Sequence, residues 1–363
     1  MVTRFGTPSL AVGALVALAS AAVLVAPCHA EDELPATESA EVALSFKTYR
    51  SFDLHLPAEQ WHPVAAGLEL PQAPDGVFRA ELDGTALALD TDGDGELDVT
   101  IESPETRGAA TLVKLRGKDD AGRPTTYSIR VIDSGRGWVY SASGAARGRI
   151  GNTAVRIVDQ NGDGRFDGFG EDALVLGGGR YATFLSRAVH VDGELQALEV
   201  AADGASLQIA DFDGPTGRLD LGDAFESRAK PLTFVLRSTD GAYSFDLSGS
   251  EGEVELPVGE YELHSGLFGL GEGTVAVRKG RSEALTIESG KTATAAWGGP
   301  VKAEFSYARA AGEITFDPAA VWFYGRHGEE YHSWLPYGKA PEFVVKERET
   351  AEEILRVKFP GSC

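Results

Sequence analysis

Short alternating runs of apolar and polar residues dominate the chain from residue 42 onward. A period of two is typical of strands with one buried face, because successive side chains point to opposite faces of a sheet. Apolar residues at helical spacing are confined to residues 350–357, a stretch too short for a stable helix. The pattern therefore predicts an all-β protein with strands at residues 77–82, 86–89, 97–101, 126–132, 232–236, 242–245, 252–256, 303–307, 321–324 and 343–345.

Asp-Gly dipeptides follow several of these runs, at residues 83–84, 192–193, 203–204 and 240–241. Glycine adopts the positive φ that a tight hairpin turn requires, so each dipeptide predicts a turn between antiparallel strands. The chain contains 44 glycines. This composition favours many short strands over a helix bundle or a doubly wound sheet.

The first thirty residues have the pattern of a secretory signal peptide. Arg4 precedes an almost wholly apolar run at residues 10–25, and the small residues Cys28 and Ala30 follow it. Cleavage after Ala30 would release a mature chain with Cys363 as its only cysteine and no internal disulfide. The run is shorter than the roughly 20 residues of a membrane-spanning helix, and no later segment is comparably apolar. We therefore expect a secreted or periplasmic protein without a transmembrane span; Pro27 argues against lipid attachment at Cys28.

The remaining sequence divides into a leader and two or three β units. Residues 31–42 are acidic and aperiodic, which predicts a flexible leader. Residues 43–222 are expected to form a β-domain, residues 223–300 a β-sandwich module and residues 301–363 a C-terminal β-module. At 363 residues, such a division agrees with ordinary domain sizes.

Residues 254–263 read VELPVGEYEL, with Pro257 and Gly259 between two alternating runs. This stretch resembles the L-P-x-G-x-Y strand–turn–strand of prealbumin-like sandwich modules, such as carboxypeptidase regulatory-like domains. The resemblance implies a sandwich architecture and no activity. The tryptophans could line a sugar-binding face, but sandwich cores use them as readily, and we expect core positions for Trp61, Trp138, Trp297, Trp322 and Trp334.

The charge balance restricts the range of partners. The chain has 33 Lys and Arg residues against 55 Asp and Glu residues, which gives a net charge of −22. Nucleic acid is excluded as an expected partner, because most of the surface would repel phosphates. Hydrophobic residues make up 43% of the chain, which is enough to build a core and argues against general disorder.

Two acidic segments carry the clearest candidate chemistry: DTDGDGELD at residues 90–98 and DQNGDGRFD at residues 159–167. Ca²⁺ binds six to eight oxygen ligands, and side chains at loop positions 1, 3 and 5 converge when a glycine at position 6 turns the chain. The first site is predicted from Asp90, Asp92, Asp94, the carbonyl of Glu96 and Asp98. The second is predicted from Asp159, Asn161, Asp163, the carbonyl of Arg165, Asp167 and, as the closing ligand, Glu171.

The two segments resemble EF-hand-like calcium loops, and the resemblance implies two Ca²⁺ sites. Position 12 is Ile101 in one segment and Gly170 in the other, so the closing ligand is expected one or two places later, at Glu102 in the first and at Glu171 or Asp172 in the second. Strands rather than helices are expected on both sides. This departure is similar to the calcium loops of dockerin-type, integrin-repeat and thrombospondin-type families. The alternative is a pair of ordinary acidic hairpin turns, because Asp and Gly are preferred turn residues. Residues 211–214 lack the carboxylate at position 5 and predict only a turn.

Catalytic signatures are not evident in the sequence. His327 and His332 are five residues apart and lack the H-E-x-x-H order of zinc proteases, so a polar hairpin is expected there. The leading hypothesis is an exported, non-enzymatic calcium-binding protein whose sandwich modules bind an extracellular or envelope protein or glycan. The alternative is a secreted hydrolase or carbohydrate-active enzyme with structural calcium, because the carboxylate pair of a glycosidase cannot be recognised in one sequence.

Overall fold

The computed structural model describes residues 39–65, 67–104, 106, 108–221, 228–336 and 342–358. The predicted signal peptide, most of the leader and Cys363 lie outside these ranges. The regular structure of the described residues consists of strands, which confirms the all-β prediction. The strands up to residue 221 are β1 Ala40–Ala43, β2 Ser45–Thr48, β3 His62–Pro63, β4 Gly67–Glu69, β5 Val77–Asp83, β6 Ala86–Leu89, β7 Val99–Ile101, β8 Thr111–Lys118, β9 Pro124–Asp133, β10 Trp138–Ala142, β11 Gly144–Ile150, β12 Thr153–Val158, β13 Ala173–Leu176, β14 Thr183–Phe184, β15 Ala188–Val191, β16 Glu194–Val200, β17 Ser206–Asp211 and β18 Thr216–Asp220.

Twelve further strands follow between residues 228 and 358. They are β19 Lys230–Ser238, β20 Ser244–Asp246, β21 Glu253–Pro257, β22 Gly259–Leu270, β23 Gly273–Arg278, β24 Leu285–Ile287, β25 Thr292–Thr294, β26 Lys302–Ala310, β27 Glu313–Tyr324, β28 Glu330–Leu335, β29 Glu342–Lys346 and β30 Glu353–Lys358.

The strands before β18 form four small sheets. Their strand orders are β1-β17-β16-β15, β3-β10-β9-β8, β14-β13-β12-β11-β2 and β4-β5-β6-β7. All pairs in these sheets are antiparallel, and most of them join successive strands through short connections. The predicted Asp-Gly turns at residues 83–84, 192–193 and 203–204 lie between consecutive strands, and each glycine has a positive φ.

The later strands form a second group of sheets. A large sheet has the order β20-β19-β22-β23-β28-β27-β26, with β24 paired to β22, and a three-stranded sheet has the order β21-β18-β25. Val258 lies between β21 and β22, which belong to these two different sheets, and the Tyr261 hydroxyl donates back to the carbonyl of Pro257 at 2.9 Å. The L-P-x-G-x-Y stretch is thus a corner between sheets. Strands β29 and β30 pair with each other.

Two large apolar clusters form the interior. The first contains buried residues between Val64 and Ile209, and the second contains buried residues between Ala188 and Tyr331. Strand β18 precedes residue 222, yet it pairs with β21 and β25, and its Leu219 packs in the second cluster. The boundary after residue 222 stays a prediction.

Several local expectations differ from the structure. Residues 353–358 form strand β30, which pairs with β29, in a stretch whose apolar spacing is weakly helical but too short to predict a helix. The end of the predicted leader is part of a sheet, since β1 begins at Ala40. Trp138 and Trp297 are core residues as expected, whereas Trp334 is 43% exposed. The prediction of a core position for Trp334 is therefore wrong.

Candidate metal sites in two hairpin loops

Each acidic segment connects two antiparallel strands. Loop 1 (residues 90–98) joins β6 to β7, whose nearest pair is Leu89 with Val99. Loop 2 (residues 159–172) joins β12 to β13, whose nearest pair is Val158 with Ala173. The strands expected on both sides of each segment are present, so the loops are long hairpin connections and not helix–loop–helix units.

Loop 1 brings three predicted ligands together. Oxygen atoms of Asp90, Asp92 and Asp94 all lie within 4.8 Å of one another. Asp90 is buried, and its carboxylate accepts hydrogen bonds from the amides of Asp92 at 3.1 Å, Gly93 at 2.7 Å and Gly95 at 2.9 Å. An ionised carboxylate offers about four acceptor sites, so these bonds hold the group in place and leave it the capacity for one more partner.

Asp159 occupies the equivalent position in loop 2. This buried carboxylate accepts hydrogen bonds from the amide of Gly162 at 2.6 Å, the amide of Gly164 at 2.7 Å and the hydroxyl of Tyr127 at 2.5 Å. Its two amide donors come three and five residues later, as two of the three amide donors of Asp90 do. The first aspartate of each loop is therefore held by two equivalent local hydrogen bonds.

The two loops also share their backbone geometry. The glycines at positions 4 and 6 have φ of 73° and 89° in loop 1 and 73° and 79° in loop 2. L side chains rarely adopt this left-handed region, so glycine is required there. The carboxylate at position 5 accepts an amide two residues on in each loop, at 2.8 Å for both Asp94 and Asp163. The repeated motif thus produces one repeated conformation.

The predicted ligands at position 9 are directed elsewhere. Asp98 accepts hydrogen bonds from the amide of Thr91 at 3.1 Å and from its hydroxyl at 2.8 Å. Asp167 is 3.4 Å from Nε of Arg165. These two carboxylates therefore brace their loops, and neither is in the acidic group of Asp90, Asp92 and Asp94. The side chain of Glu96, predicted to contribute only its carbonyl, is exposed.

The closing side of loop 2 holds two acidic residues in different environments. The Asn161 side-chain amide lies 3.3 Å from Asp163 Oδ2 and 3.3 Å from Glu171 Oε2, so three predicted ligands are adjacent. Asp172 is fully buried, and its Oδ2 accepts the amide of Gly168 at 2.9 Å. Its Oδ1 has no hydrogen-bond partner among the described residues. Asp172 is thus an additional candidate ligand next to the predicted Glu171.

Burial sets the electrostatics of loop 2. Burial raises the pKa of Asp172, and the negative charge of Asp159 raises it further. Burial also raises the pKa of Asp159, although the hydrogen bond from Tyr127 opposes this shift. Within the described ranges, neither carboxylate forms an ion pair, and the guanidinium of Arg165 in the same loop pairs with Asp167 and Asp120. A cation between them would remove a strong mutual repulsion.

The turn at residues 70–76, between β4 and β5, contacts both loops. The Gln72 side chain donates to the carbonyl of Gly164 at 2.6 Å. A Cβ on Gly164 would lie 2.5 Å from Pro71 Cδ, and a Cβ on Gly93 would lie 2.4 Å from Pro74 Cδ. Glycine at these positions therefore permits close packing of the turn against loop 1 and loop 2.

Sequence reasoning did not find Tyr127 or Gln72. Each is far from its loop in the chain, and neither residue type indicates a metal-site neighbour. Asp172 lies directly before β13, and its burial depends on the strands packed around it. Residues 212–215 connect β17, which ends at Asp211, to β18 in another sheet. Residues 325–329 with His327 connect β27 to β28, in agreement with the polar hairpin expected there.

Comparisons of the chain with protein-family models, with curated proteins and with solved structures found no match. Within the described ranges, no helix has the length and hydropathy needed to cross a membrane.

Proposed function

We propose that this chain is an exported, non-enzymatic calcium-binding protein in which two hairpin loops hold Ca²⁺ and stabilise the β-structure around them. Export rests on the signal-peptide pattern of residues 1–30. Binding to an extracellular or envelope partner is the role that we infer for the stabilised protein.

The burial of Asp159 and Asp172 carries the proposal. Two carboxylates removed from water, without an ion pair among the described residues, are unfavourable unless one is protonated or a cation joins them. Asp172 Oδ1, which has no hydrogen-bond partner there, is an oxygen that a hard cation would use. In an ordinary acidic turn, both carboxylates would be expected to stay exposed to water.

The donor set of each loop agrees with calcium. Loop 1 offers Asp90, Asp92 and Asp94, whose oxygens converge within 4.8 Å. Loop 2 offers Asp159, Asn161, Asp163, Glu171 and Asp172, although among the described residues its carboxylates do not form such a group of three. These ligands are oxygens without thiolate or imidazole, which favours a hard cation over zinc. Bound Ca²⁺ supplies positive charge that links the carboxylates and thereby stabilises the folded loops.

A calcium titration of the chelator-treated protein tests the proposal. Isothermal calorimetry should detect two calcium ions per chain, with Mg²⁺ as the competing ion. Extracellular calcium sites have dissociation constants on the order of 10⁻⁴–10⁻³ M. At a calcium concentration about a hundredfold above the constant, each site should raise the free energy of unfolding by about 2.7 kcal/mol.

Single variants assign the ions to the loops. Asp94→Ala and Asp163→Ala should each remove one bound ion and reduce the calcium-dependent increase in melting temperature. Asp213→Ala is the matched control, because Asp213 is an exposed aspartate in the connection between β17 and β18. No heat and no thermal shift in the wild type, or an equal response to Mg²⁺, would contradict calcium binding. Hydrolysis of a polysaccharide or peptide would contradict the non-enzymatic assignment.

A further inference from the structure

Strand β8 carries a row of basic side chains on its outer face. Lys114, Arg116 and Lys118 are exposed, and they alternate with the buried Val113 and Leu115. Within the part of the chain that the structure describes, none of the three forms an ion pair. This face is therefore positively charged, although the chain as a whole has a net charge of −22.

The three cations line one open groove of about 680 Å³. Thr48, Thr125 and Thr126 also line the groove, and so does Asp92 of loop 1. The Thr48 hydroxyl is 2.8 Å from that of Ser128, so the hydroxyls of Thr125 and Thr126 are the ones offered to a ligand. Residues two apart on a strand are about 7 Å apart, so the charged row is about 13 Å long. Its length and shape suit a linear anion with widely spaced charges and hydroxyl groups between them.

The backbone of β8 is not open to an extended peptide at this point. The amide of Arg116 donates to the carbonyl of Thr91 at 2.7 Å, and the amide of Lys118 donates to the carbonyl of Gln72 at 2.9 Å. Addition of a peptide strand requires unpaired backbone groups along an edge. The side chains, and not the backbone, are therefore what this face offers to a ligand.

Nucleic acid fits the groove poorly. Proteins that bind single strands combine cations with aromatic rings on which bases stack. Phe46, the one aromatic ring among the described residues that line the groove, is stacked on Tyr127 with centroids 5.8 Å apart and meets the edge of Phe166 at 6.1 Å. It is half-buried, and the overall negative charge would repel a dense row of phosphates.

We propose that this groove binds an acidic polysaccharide of the uronate type. Its carboxylates would pair with Lys114, Arg116 and Lys118, and its hydroxyls would bond the threonine side chains. The inference goes beyond the calcium proposal, because the three cations bind no metal. The groove was not evident from the sequence, since it depends on how β2, β8, β9 and loop 1 pack together.

Binding of a short oligogalacturonate to the full chain tests the proposal, with neutral oligogalactan and a single-stranded oligonucleotide as comparison ligands. Microscale thermophoresis should detect binding to the oligogalacturonate that weakens as the salt concentration rises. The triple variant Lys114→Glu/Arg116→Glu/Lys118→Glu should lose affinity by about tenfold or more, given three exposed charge pairs. The matched control Lys230→Glu/Lys302→Glu/Arg309→Glu makes the same change of charge at exposed positions outside the groove.

The outcomes separate this groove from the calcium sites. Retention of the wild-type circular dichroism spectrum and melting temperature by the triple variant shows that the variant is folded and that loss of glycan binding belongs to the groove. No binding of the oligogalacturonate by the wild type, tighter binding of the oligonucleotide, or equal losses in both triple variants would overturn the proposal. A failed calcium titration together with salt-sensitive oligogalacturonate binding would overturn the calcium proposal alone.

Discussion

Buried carboxylates have different surroundings in this molecule. Glu329 accepts hydrogen bonds from the amide of Gly298 at 2.6 Å, the amide of His327 at 3.1 Å and the hydroxyl of Tyr331 at 3.2 Å. Asp172, equally buried, has one oxygen without a partner among the described residues. The first set of contacts is complete within the protein, whereas the second favours an additional ligand.

Ionisation of Glu329 makes the free energy of unfolding depend on pH, independently of the two loops. Burial raises the pKa of Glu329 above its ordinary value of 4.5, and its hydrogen bonds oppose the shift only in part. The protonated form is therefore favoured in the folded state. The free energy of unfolding of the wild type relative to Glu329→Gln should be highest below pH 4.5 and should decrease as the pH rises through the raised pKa.

Denaturant unfolding over a pH series would measure this difference. Glu313→Gln, at an exposed position near the start of β27, is the control and should track the wild type. The hydrogen bonds lost in Glu329→Gln add a constant offset, so only the slope reports ionisation. If the difference in the free energy of unfolding between the wild type and Glu329→Gln did not change with pH, the raised pKa of Glu329 would be contradicted.

At the level of elements, the turn at residues 70–76 links structures that are far apart in the sequence. Its Gln72 carbonyl accepts the amide of Lys118 in β8, while the Gln72 side chain reaches the Gly164 carbonyl in loop 2. Gly117 permits this approach, since a Cβ there would lie 2.0 Å from the Gln72 carbonyl oxygen. One turn therefore holds both the basic strand and loop 2.

Gln72→Ala should weaken loop 2 selectively. Loss of the bond to Gly164 leaves a buried carbonyl unpaired, which costs about 1–3 kcal/mol of stability. Calorimetry should show a lower calcium affinity at the loop 2 site and little change at loop 1. Gln208→Ala, at an exposed position on β17, is the control. Equal weakening of both sites, or of neither, would show that the turn does not support loop 2 in this way.

At the level of the whole molecule, both loops belong to the part of the chain with the first apolar cluster, and loop 2 also contacts the second part. Arg237 donates to the carbonyl of Gly170 at 2.8 Å, and a Cβ on Gly170 would lie 2.5 Å from the carbonyl oxygen of Gly241. Through these contacts, an ordered loop 2 also stabilises the turn between β19 and β20. Strands β26 and β27 are outside this contact.

Hydrogen exchange with and without calcium should show this division. Calcium should slow amide exchange most in the hairpins β6–β7 and β12–β13, and also at residues 238–243, because local opening there exposes the loops. Exchange in β26 and β27 should not change. Mass spectrometry of peptides from both states would make the measurement, and uniform slowing along the chain would contradict stabilisation by two local sites.

The sequence by itself determined the local features of this protein. Alternation and Asp-Gly turns predict short antiparallel strands, and the repeated D-x-[DN]-x-D-G motif determines the conformation of residues 90–95 and 159–164, because its glycines and aspartates make contacts within the loop. Only the tertiary structure decided that Asp172 is buried beside Asp159, that Tyr127 bonds Asp159, that Gln72 supports loop 2, and that the basic face of β8 borders loop 1. These contacts join residues distant in the chain, so they depend on strand register and on the packing of separate sheets.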